Sequence, residues 1–117
     1  MSLKEKLDAI KQQMGQLPAD VLEKFSTSLQ ALIARHPEAH ALKAGDRAPL
    51  AVLEDADGKA VDLHALLARG PLVLVFYRGL WCPFCNAALG EYQQMVGDLA
   101  VSGATLVAVS YTHLRAH

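Results

Sequence analysis

The sequence predicts an α/β fold in which a strand–helix–strand unit follows a pair of N-terminal helices. The apolar run Leu72–Tyr77 is rich in β-branched and aromatic residues, which is typical of a strand buried on both faces. From Pro83 onward the apolar residues recur at helical spacing, and a second apolar run follows at Thr105–Ser110. Two such runs joined by a helix predict parallel strands with a right-handed crossover.

Residues 1–40 predict two amphipathic helices that form an antiparallel hairpin outside the main fold. Each segment carries its apolar residues on one helical face: Leu3, Leu7, Ile10, Met14 and Leu17 in the first, and Val21, Leu22, Phe25, Leu29, Leu32 and Ile33 in the second. The second helix ends at His36-Pro37, because the residue before a proline avoids the helical region. The hairpin is either a dimerisation or docking element or a cover over one face of the sheet. One-sided apolar stripes favour the cover.

The segment before the first apolar run predicts a β-hairpin and a short helix. We expect a short edge strand at Leu50–Leu53 and then a turn at Asp55–Gly58, in which the glycine takes a positive φ. The carboxylates near this turn lack the alternating pattern of a calcium loop. Asp62 is expected to cap a helix that runs to Ala68.

Two cysteines lie where the predicted Leu72–Tyr77 strand ends and the next helix begins. Unpaired backbone N–H groups and the positive end of the helix dipole favour a thiolate at Cys82 or Cys85, and Arg78 can add positive charge. Pro83 suits the first helical position, where a missing N–H costs nothing. A Cys-x-x-Cys pair after a buried strand indicates a dithiol that cycles with a disulfide.

Two other interpretations of the cysteines are weaker. A structural zinc site needs about four Cys or His ligands, whereas the chain has two cysteines. His36 and His40 have ligand spacing but lie in a separate segment, so no metal site is expected. Inert core thiols are also disfavoured, because an aliphatic core does not require Trp81 and Pro83 beside paired cysteines. We therefore expect redox chemistry that needs no cofactor.

Composition and charge narrow the function further. The 117 residues suffice for one domain, and 52% of them are hydrophobic, which supplies a core. The net charge of −1 offers no basic excess for nucleic acid or anionic membranes. No apolar run approaches the roughly 20 residues that span a bilayer, and the charged N-terminus lacks a signal-peptide core. We therefore expect a cytoplasmic protein, in which cysteines stay reduced unless they are catalytic.

Four segments of the chain match motifs of a known family. They are Gly45-Asp46-x-Ala48-Pro49, Asp57-Gly58, Phe76-Tyr77-Arg78-Gly79-x-Trp81-Cys82-Pro83-x-Cys85-Asn86 and Gly103–Ser110. Through them, residues 45–110 resemble the thioredoxin-like superfamily and, within it, a peroxiredoxin-like member of the alkyl hydroperoxide reductase and thiol-specific antioxidant family. The resemblance implies a thioredoxin-like fold over this range. The N-terminal helix pair also resembles the extension that this subgroup carries.

The resemblance implies a thioredoxin-dependent thiol peroxidase. In peroxiredoxins a thiolate in the first helical turn attacks a peroxide oxygen and becomes a sulfenic acid. A second thiol then forms a disulfide with it, and an external dithiol such as thioredoxin reduces that bond. Matching Tyr77 to the family's aromatic makes Cys85 the attacking thiol and Cys82 the resolving thiol. The resemblance also implies four supporting active-site residues: Tyr77, Arg78, Trp81 and Pro83.

The order of the two cysteines stays open at this point. Thioredoxins attack with their first cysteine, here Cys82, so protein dithiol–disulfide exchange is the alternative activity. Three departures from the peroxiredoxin pattern concern peroxide chemistry alone. Arg78 replaces a proline, Cys82 replaces the hydroxyl that steadies the peroxide, and the family's later arginine would lie beyond Ser110.

Residues 111–117 are expected to be an atypical tail. A thioredoxin-like sheet needs two further strands and a closing helix after Ser110, so we expect a fragment whose fold is incomplete at the C-terminus. The central strand of such a fragment then lacks a neighbour, and an exposed edge invites aggregation. A third interpretation follows, in which the chain is an inactive fragment or an interaction module.

Overall fold

The computed structural model of the chain describes residues 1–110 and the backbone of residues 115 and 116. These residues contain four α-helices: α1 (Leu3–Met14), α2 (Ala19–Ala34), α3 (Leu63–Arg69) and α4 (Pro83–Val101). They also contain five strands: β1 (Val52–Asp55), β2 (Ala60–Asp62), β3 (Leu72–Tyr77), β4 (Thr105–Ser110) and β5 (Arg115–Ala116). A short 3-10 helix follows α2 at Pro37–His40. Among the described helices, none combines the length and the apolar character needed to cross a membrane.

The strands form one sheet in the order β2–β1–β5–β4–β3. β3 and β4 are parallel along their whole length, and α4 connects them in the chain. This arrangement confirms the predicted strand–helix–strand unit and the α/β fold class. β5 runs parallel to β1 and antiparallel to β4, so it joins the β1–β2 hairpin to that unit.

The core lies between α3 and the sheet, where the side chains of Leu63, Val107 and Val109 are buried together. Val107 and Val109 share a face of β4 because side chains two residues apart in a strand point the same way. Partly buried apolar side chains surround this cluster: Leu50, Leu53, Val61, Leu66, Leu72 and Leu74. Asp62 caps α3 as predicted, since its carboxylate accepts a hydrogen bond from the His64 N–H at 2.9 Å.

The β1–β2 hairpin closes through the predicted turn. The Asp55 carboxylate accepts hydrogen bonds from the backbone N–H groups of Asp57 at 2.9 Å and Lys59 at 2.8 Å, and Gly58 has a φ of 81°. The prediction that β1 is an edge strand is wrong, because it lies between β2 and β5. The strand β5, which lies far from β1 in the sequence, pairs with the second side of β1.

β3 is less buried than its sequence predicts. Among the described residues it pairs only with β4, so it forms an edge of the sheet. Phe76 is 76% exposed and Val73 is 39% exposed. The prediction of a strand buried on both faces is therefore wrong, because a strand with one neighbour lacks the side chains that a second neighbour would place beside it. β4 has neighbours on both sides and is buried from Val107 to Ser110.

Residues 8–49 form a compact unit separate from the sheet-containing unit. The apolar stripe of α2 is exposed: Phe25, Leu29, Leu32 and Ile33. Within this unit, α2 ends at Ala34, and His36 takes a left-handed conformation with a φ of 48° directly before Pro37. The roles of the stripe in docking or in covering the sheet stay predictions.

We expect Leu63→Ala to lower the free energy of unfolding by about 2–4 kcal/mol, because the lost side chain is buried against Val107 and Val109 and leaves a cavity. Urea unfolding followed by circular dichroism measures the change. Leu67→Ala is the matched control on the same helix, since Leu67 is 46% exposed. It is expected to cost less than about 1 kcal/mol. Equal losses in the two variants would contradict this placement of the core.

Candidate active site

The two cysteines lie at the junction between the carboxyl end of β3 and the first turn of α4. Cys82 is the residue before the helix and has extended backbone angles, while Cys85 belongs to the first helical turn. Pro83 is the first helical residue, as predicted, and its ring pre-sets the helical φ. Backbone hydrogen bonds fix the connection, because the Cys82 N–H donates to the Gly79 carbonyl at 3.1 Å. The junction therefore holds both sulfur atoms near one end of the sheet.

Arg78 contacts both sulfur atoms. Its guanidinium Nη2 donates a hydrogen bond to Cys82 Sγ at 3.2 Å, and its backbone N–H donates to Cys85 Sγ at 3.4 Å. The guanidinium also lies over the indole ring of Trp81, with 5.0 Å between its central carbon and the ring centroid. A cation held over an aromatic face in this way is attracted by the electron-rich ring. One residue thus links the two thiols and is itself oriented by Trp81.

The two thiols differ in their access to solvent. Cys82 is only 1% exposed, whereas Cys85 is half-buried. Cys85 lines a cavity of about 320 Å³ together with Tyr77 and Phe84. A small molecule in this cavity would meet Cys85, while Cys82 is covered by protein atoms.

The charges around Cys82 favour its ionised form. Burial raises the pKa of the Cys82 thiol, but the Cys85 thiol, the Arg78 guanidinium and the Cys85 backbone N–H outweigh burial and bring the pKa down to about 7. The two cysteines in turn raise the pKa of Arg78, chiefly through the hydrogen bond between Arg78 and Cys82. Burial and then the charge on Cys85 raise the pKa of Tyr77, which stays a neutral phenol at neutral pH. A large fraction of Cys82 is therefore thiolate near neutrality.

Three supporting residues were not among the site residues predicted from the sequence. Gly79 has a φ of 155°, and a Cβ at this position would lie 2.5 Å from Trp81 Nε1, so the indole packs where a side chain would start. Asn86 Nδ2 donates to the Leu80 carbonyl at 2.8 Å and fixes the loop. Ser110 Oγ donates to the Arg78 carbonyl at 3.4 Å.

Signals for these residues were present in the sequence. Gly79 and Asn86 belong to the segment that resembles the family, and Ser110 ends the strand parallel to β3. The carboxyl ends of parallel strands meet at one edge of a sheet, which brings Ser110 to the same place as Arg78. Their particular contacts depend on how the loop between β3 and α4 folds, and residue spacing does not specify that.

All the site residues predicted from the sequence lie at this junction: Tyr77, Arg78, Trp81, Cys82, Pro83 and Cys85. Both cysteines are free thiols in this structure. Within residues 1–110 there is no group of three or more His, Cys, Asp or Glu side chains arranged to hold a metal ion. The catalytic roles of the predicted residues stay predictions.

The AhpC/TSA family model matches residues 44–117, which is more than half of the chain. The chain therefore belongs to this family, and the resemblance found in the sequence is confirmed. The match continues through residues 111–117, which were expected to be an atypical tail. Membership also agrees with the observed α/β elements, which correspond to part of a thioredoxin-like fold.

The curated relatives that the chain resembles are named either as a thiol-disulfide oxidoreductase or as peroxiredoxins. The thiol-disulfide oxidoreductase ResA of Halalkalibacterium halodurans is 29% identical over 68 residues, which cover 58% of this chain and 38% of that protein. Two proteins from strains of Mycobacterium tuberculosis, MT2597 and Rv2521, carry provisional peroxiredoxin names. Each is 32% identical over 69 residues, covering 59% of this chain and 43% of the relative. The chain thus spans about two fifths of the length of these relatives. No solved structure matches it significantly.

We expect Arg78→Gln to raise the pKa of Cys82 by about one unit, because the thiolate loses a charged donor at 3.2 Å. The variant is made in a Cys85→Ser background, so that Cys82 is the only thiol and serine keeps a donor beside it. The ultraviolet absorbance of the thiolate, recorded against pH, gives the midpoint. Arg69→Gln, at the exposed end of α3, is the control and should not move it. An unchanged midpoint in Arg78→Gln would contradict the assigned contact.

Gly79→Ala is expected to displace Trp81, because the new Cβ would lie 2.5 Å from the indole nitrogen. Trp81 is the sole tryptophan and is 61% exposed, so quenching of its fluorescence by acrylamide reports the displacement and should differ from that of the wild-type chain. Gly97→Ala is the matched control, since a Cβ there meets nothing within 4 Å. If Gly79→Ala leaves the quenching as it is in Gly97→Ala, the packing of Trp81 on Gly79 is wrong.

Proposed function

We propose that the chain is a thiol-dependent oxidoreductase that reduces hydrogen peroxide or organic hydroperoxides, with Cys85 as the attacking thiol and Cys82 as the resolving thiol. The observation that carries the proposal is the difference in access. Cys85 lines the 320 Å³ cavity, whereas Cys82 is 1% exposed and contacts Arg78. Membership of the AhpC/TSA family supports this class of chemistry.

The reaction has three steps that balance. The Cys85 thiolate attacks the terminal oxygen of the peroxide, the O–O bond breaks, and the leaving alkoxide or hydroxide takes a proton to become alcohol or water. Cys85 is now a sulfenic acid, two electrons more oxidised. The Cys82 thiolate then attacks the sulfenic sulfur, a disulfide forms, and water leaves. An external dithiol such as thioredoxin supplies the two electrons that restore both thiols.

Arg78 supports both halves of this cycle. Its backbone N–H donates to Cys85 Sγ, and its guanidinium donates to Cys82 Sγ. The contact with the Arg78 guanidinium lowers the pKa of Cys82, which favours a thiolate nucleophile for the second step. We propose that Arg78 thereby stabilises the reacting sulfur in both steps. Tyr77 forms a neutral wall of the cavity beside Cys85.

A second candidate function is protein dithiol–disulfide exchange in which Cys82 attacks first. The observation that favours it is the lowered pKa of Cys82, because a thiol with a pKa of about 7 is substantially ionised near neutrality and the thiolate is the nucleophile. The similarity to a protein named as a thiol-disulfide oxidoreductase agrees with this candidate. The burial of Cys82 disfavours it, since a protein disulfide must reach the sulfur. A cytoplasmic location and a homodimer built on the N-terminal helices are further proposals.

We expect Cys85→Ser to abolish peroxide consumption and Cys82→Ser to stop after one turnover with a trapped sulfenic acid. Without Cys82 no resolving thiol can attack the oxidised sulfur. Stopped-flow mixing with hydrogen peroxide measures the first effect. Mass spectrometry after labelling with dimedone, which reacts with sulfenic acids, measures the second.

The controls separate the candidates. Loss of dimedone labelling in Cys82→Ser, with labelling retained in Cys85→Ser, would make Cys82 the attacking thiol. Reduction of insulin disulfides without peroxide consumption would favour dithiol exchange. If the chain turns over neither substrate while its circular dichroism spectrum is that of a folded α/β protein, it is an inactive fragment.

A further inference from the structure

The cavity beside Cys85 has one wall that comes from the N-terminal segment, residues 1–7. Leu7 lines the cavity together with residues of β3 and α4. Leu7 lies far from the cysteines in the sequence and is outside the motifs that resemble the family. Both belong to the same compact unit, which includes residues 1–7 and the sheet. The N-terminal segment therefore contributes directly to the surroundings of the reactive sulfur.

Another wall of the cavity is one face of α4. Cys85, Ala88, Leu89 and Tyr92 are spaced three and four residues apart, which places them on the same side of a helix, and all four line the cavity. Among the described residues that line the cavity, none has a charged side chain. An apolar cavity of this kind favours uncharged, hydrophobic groups, because placing a charge there would cost desolvation without a partner.

Two features fix Leu7 in place. Ser2 and Glu5 form a reciprocal capping box at the start of α1: the Ser2 N–H donates to the Glu5 carboxylate at 2.6 Å, and the Glu5 N–H donates to Ser2 Oγ at 3.2 Å. Next along the chain, Lys6 Nζ makes an ion pair with Glu91 Oε1. Glu91 lies beside Tyr92 of the cavity wall, so this ion pair joins the residue before Leu7 to α4.

We propose that Leu7 sets the size of the apolar group that can reach Cys85, and that the Lys6–Glu91 ion pair positions it. The proposal rests on the proposed function only in taking Cys85 as the reactive thiol. The ligand class is an uncharged hydrophobic substituent attached to the electrophilic atom that the sulfur attacks. Lys6 and Glu91 act through Leu7 and are positioning residues.

The test compares two reagents on a single thiol. In a Cys82→Ser background, Cys85 is labelled by N-methylmaleimide and by the bulkier N-phenylmaleimide, and mass spectrometry gives each rate. We expect Leu7→Ala to raise the phenyl-to-methyl rate ratio by about threefold to tenfold, because the wall recedes by three carbon atoms. Leu7→Phe should lower the ratio. Leu3→Ala, on the same helix and outside the cavity lining, should leave it unchanged.

The ion pair has its own variants. Lys6→Gln and Glu91→Gln should each raise the rate ratio in the direction of Leu7→Ala, because Leu7 is then held less firmly. Lys11→Gln, later on α1, is the control and should have no effect. Unchanged ratios in Lys6→Gln and Glu91→Gln would overturn the positioning role. Both Leu7 variants leaving the ratio unchanged, or Leu3→Ala matching Leu7→Ala, would overturn the role of Leu7.

The readout is independent of peroxide turnover. Circular dichroism of every variant confirms that a changed ratio comes from a folded chain. A shifted ratio in a chain that consumes no peroxide would support the size-setting role of Leu7 and would count against the proposed peroxidase activity. Peroxide turnover with a ratio that Leu7 does not change would support the activity and overturn this inference.

Discussion

The hydrogen bonds from Arg78 to the two sulfur atoms are the interactions on which the candidate site depends. The backbone N–H binds Cys85 and the guanidinium binds Cys82, so a single residue sets the environment of both thiols. The guanidinium is in turn placed by Trp81, whose indole rests where Gly79 has no side chain. A buried thiol would ordinarily hold its proton more tightly, and the donors around Cys82 reverse that effect. The ionisation of Cys82 thus depends on the Cys85 thiol and on the Arg78 cation, both placed against a buried sulfur.

The fold holds Arg78 in this position through the pairing of β3 with β4. The parallel register ends with Tyr77 beside Ser110, and the Ser110 hydroxyl donates to the Arg78 carbonyl. β4 is itself fixed by the core, in which Val107 and Val109 are buried against Leu63. On the other side of the junction, Pro83 starts α4 directly after Cys82. Cys85 therefore lies in the first turn of this helix. The site therefore draws its rigidity from the strand–helix–strand unit.

Local patterns in the sequence were enough to predict the elements that build this unit. The apolar runs gave the bounds of β3 and β4, and the spacing of the cysteines with Pro83 gave the start of α4. The burial of β3 and the inner position of β1 were predicted wrongly, because both depend on which strands pair across long distances. The packing of Trp81 on Gly79 and the approach of Leu7 to the cavity also arise from tertiary structure. Periodicity reports which face of an element is apolar, and it does not report what lies against that face.

The reduction potential of the Cys82–Cys85 pair tests the role of Arg78 most directly. Equilibration of the wild-type chain and of Arg78→Gln in buffers of reduced and oxidised dithiothreitol, followed by alkylation and mass spectrometry, gives the midpoint of each. A cation that stabilises the thiolate stabilises the reduced pair, so its loss should move the midpoint to a more reducing potential. We predict that the midpoint of Arg78→Gln shifts in this direction while that of Arg69→Gln does not. An unchanged midpoint in Arg78→Gln, or a shift toward a more oxidising potential, would contradict it.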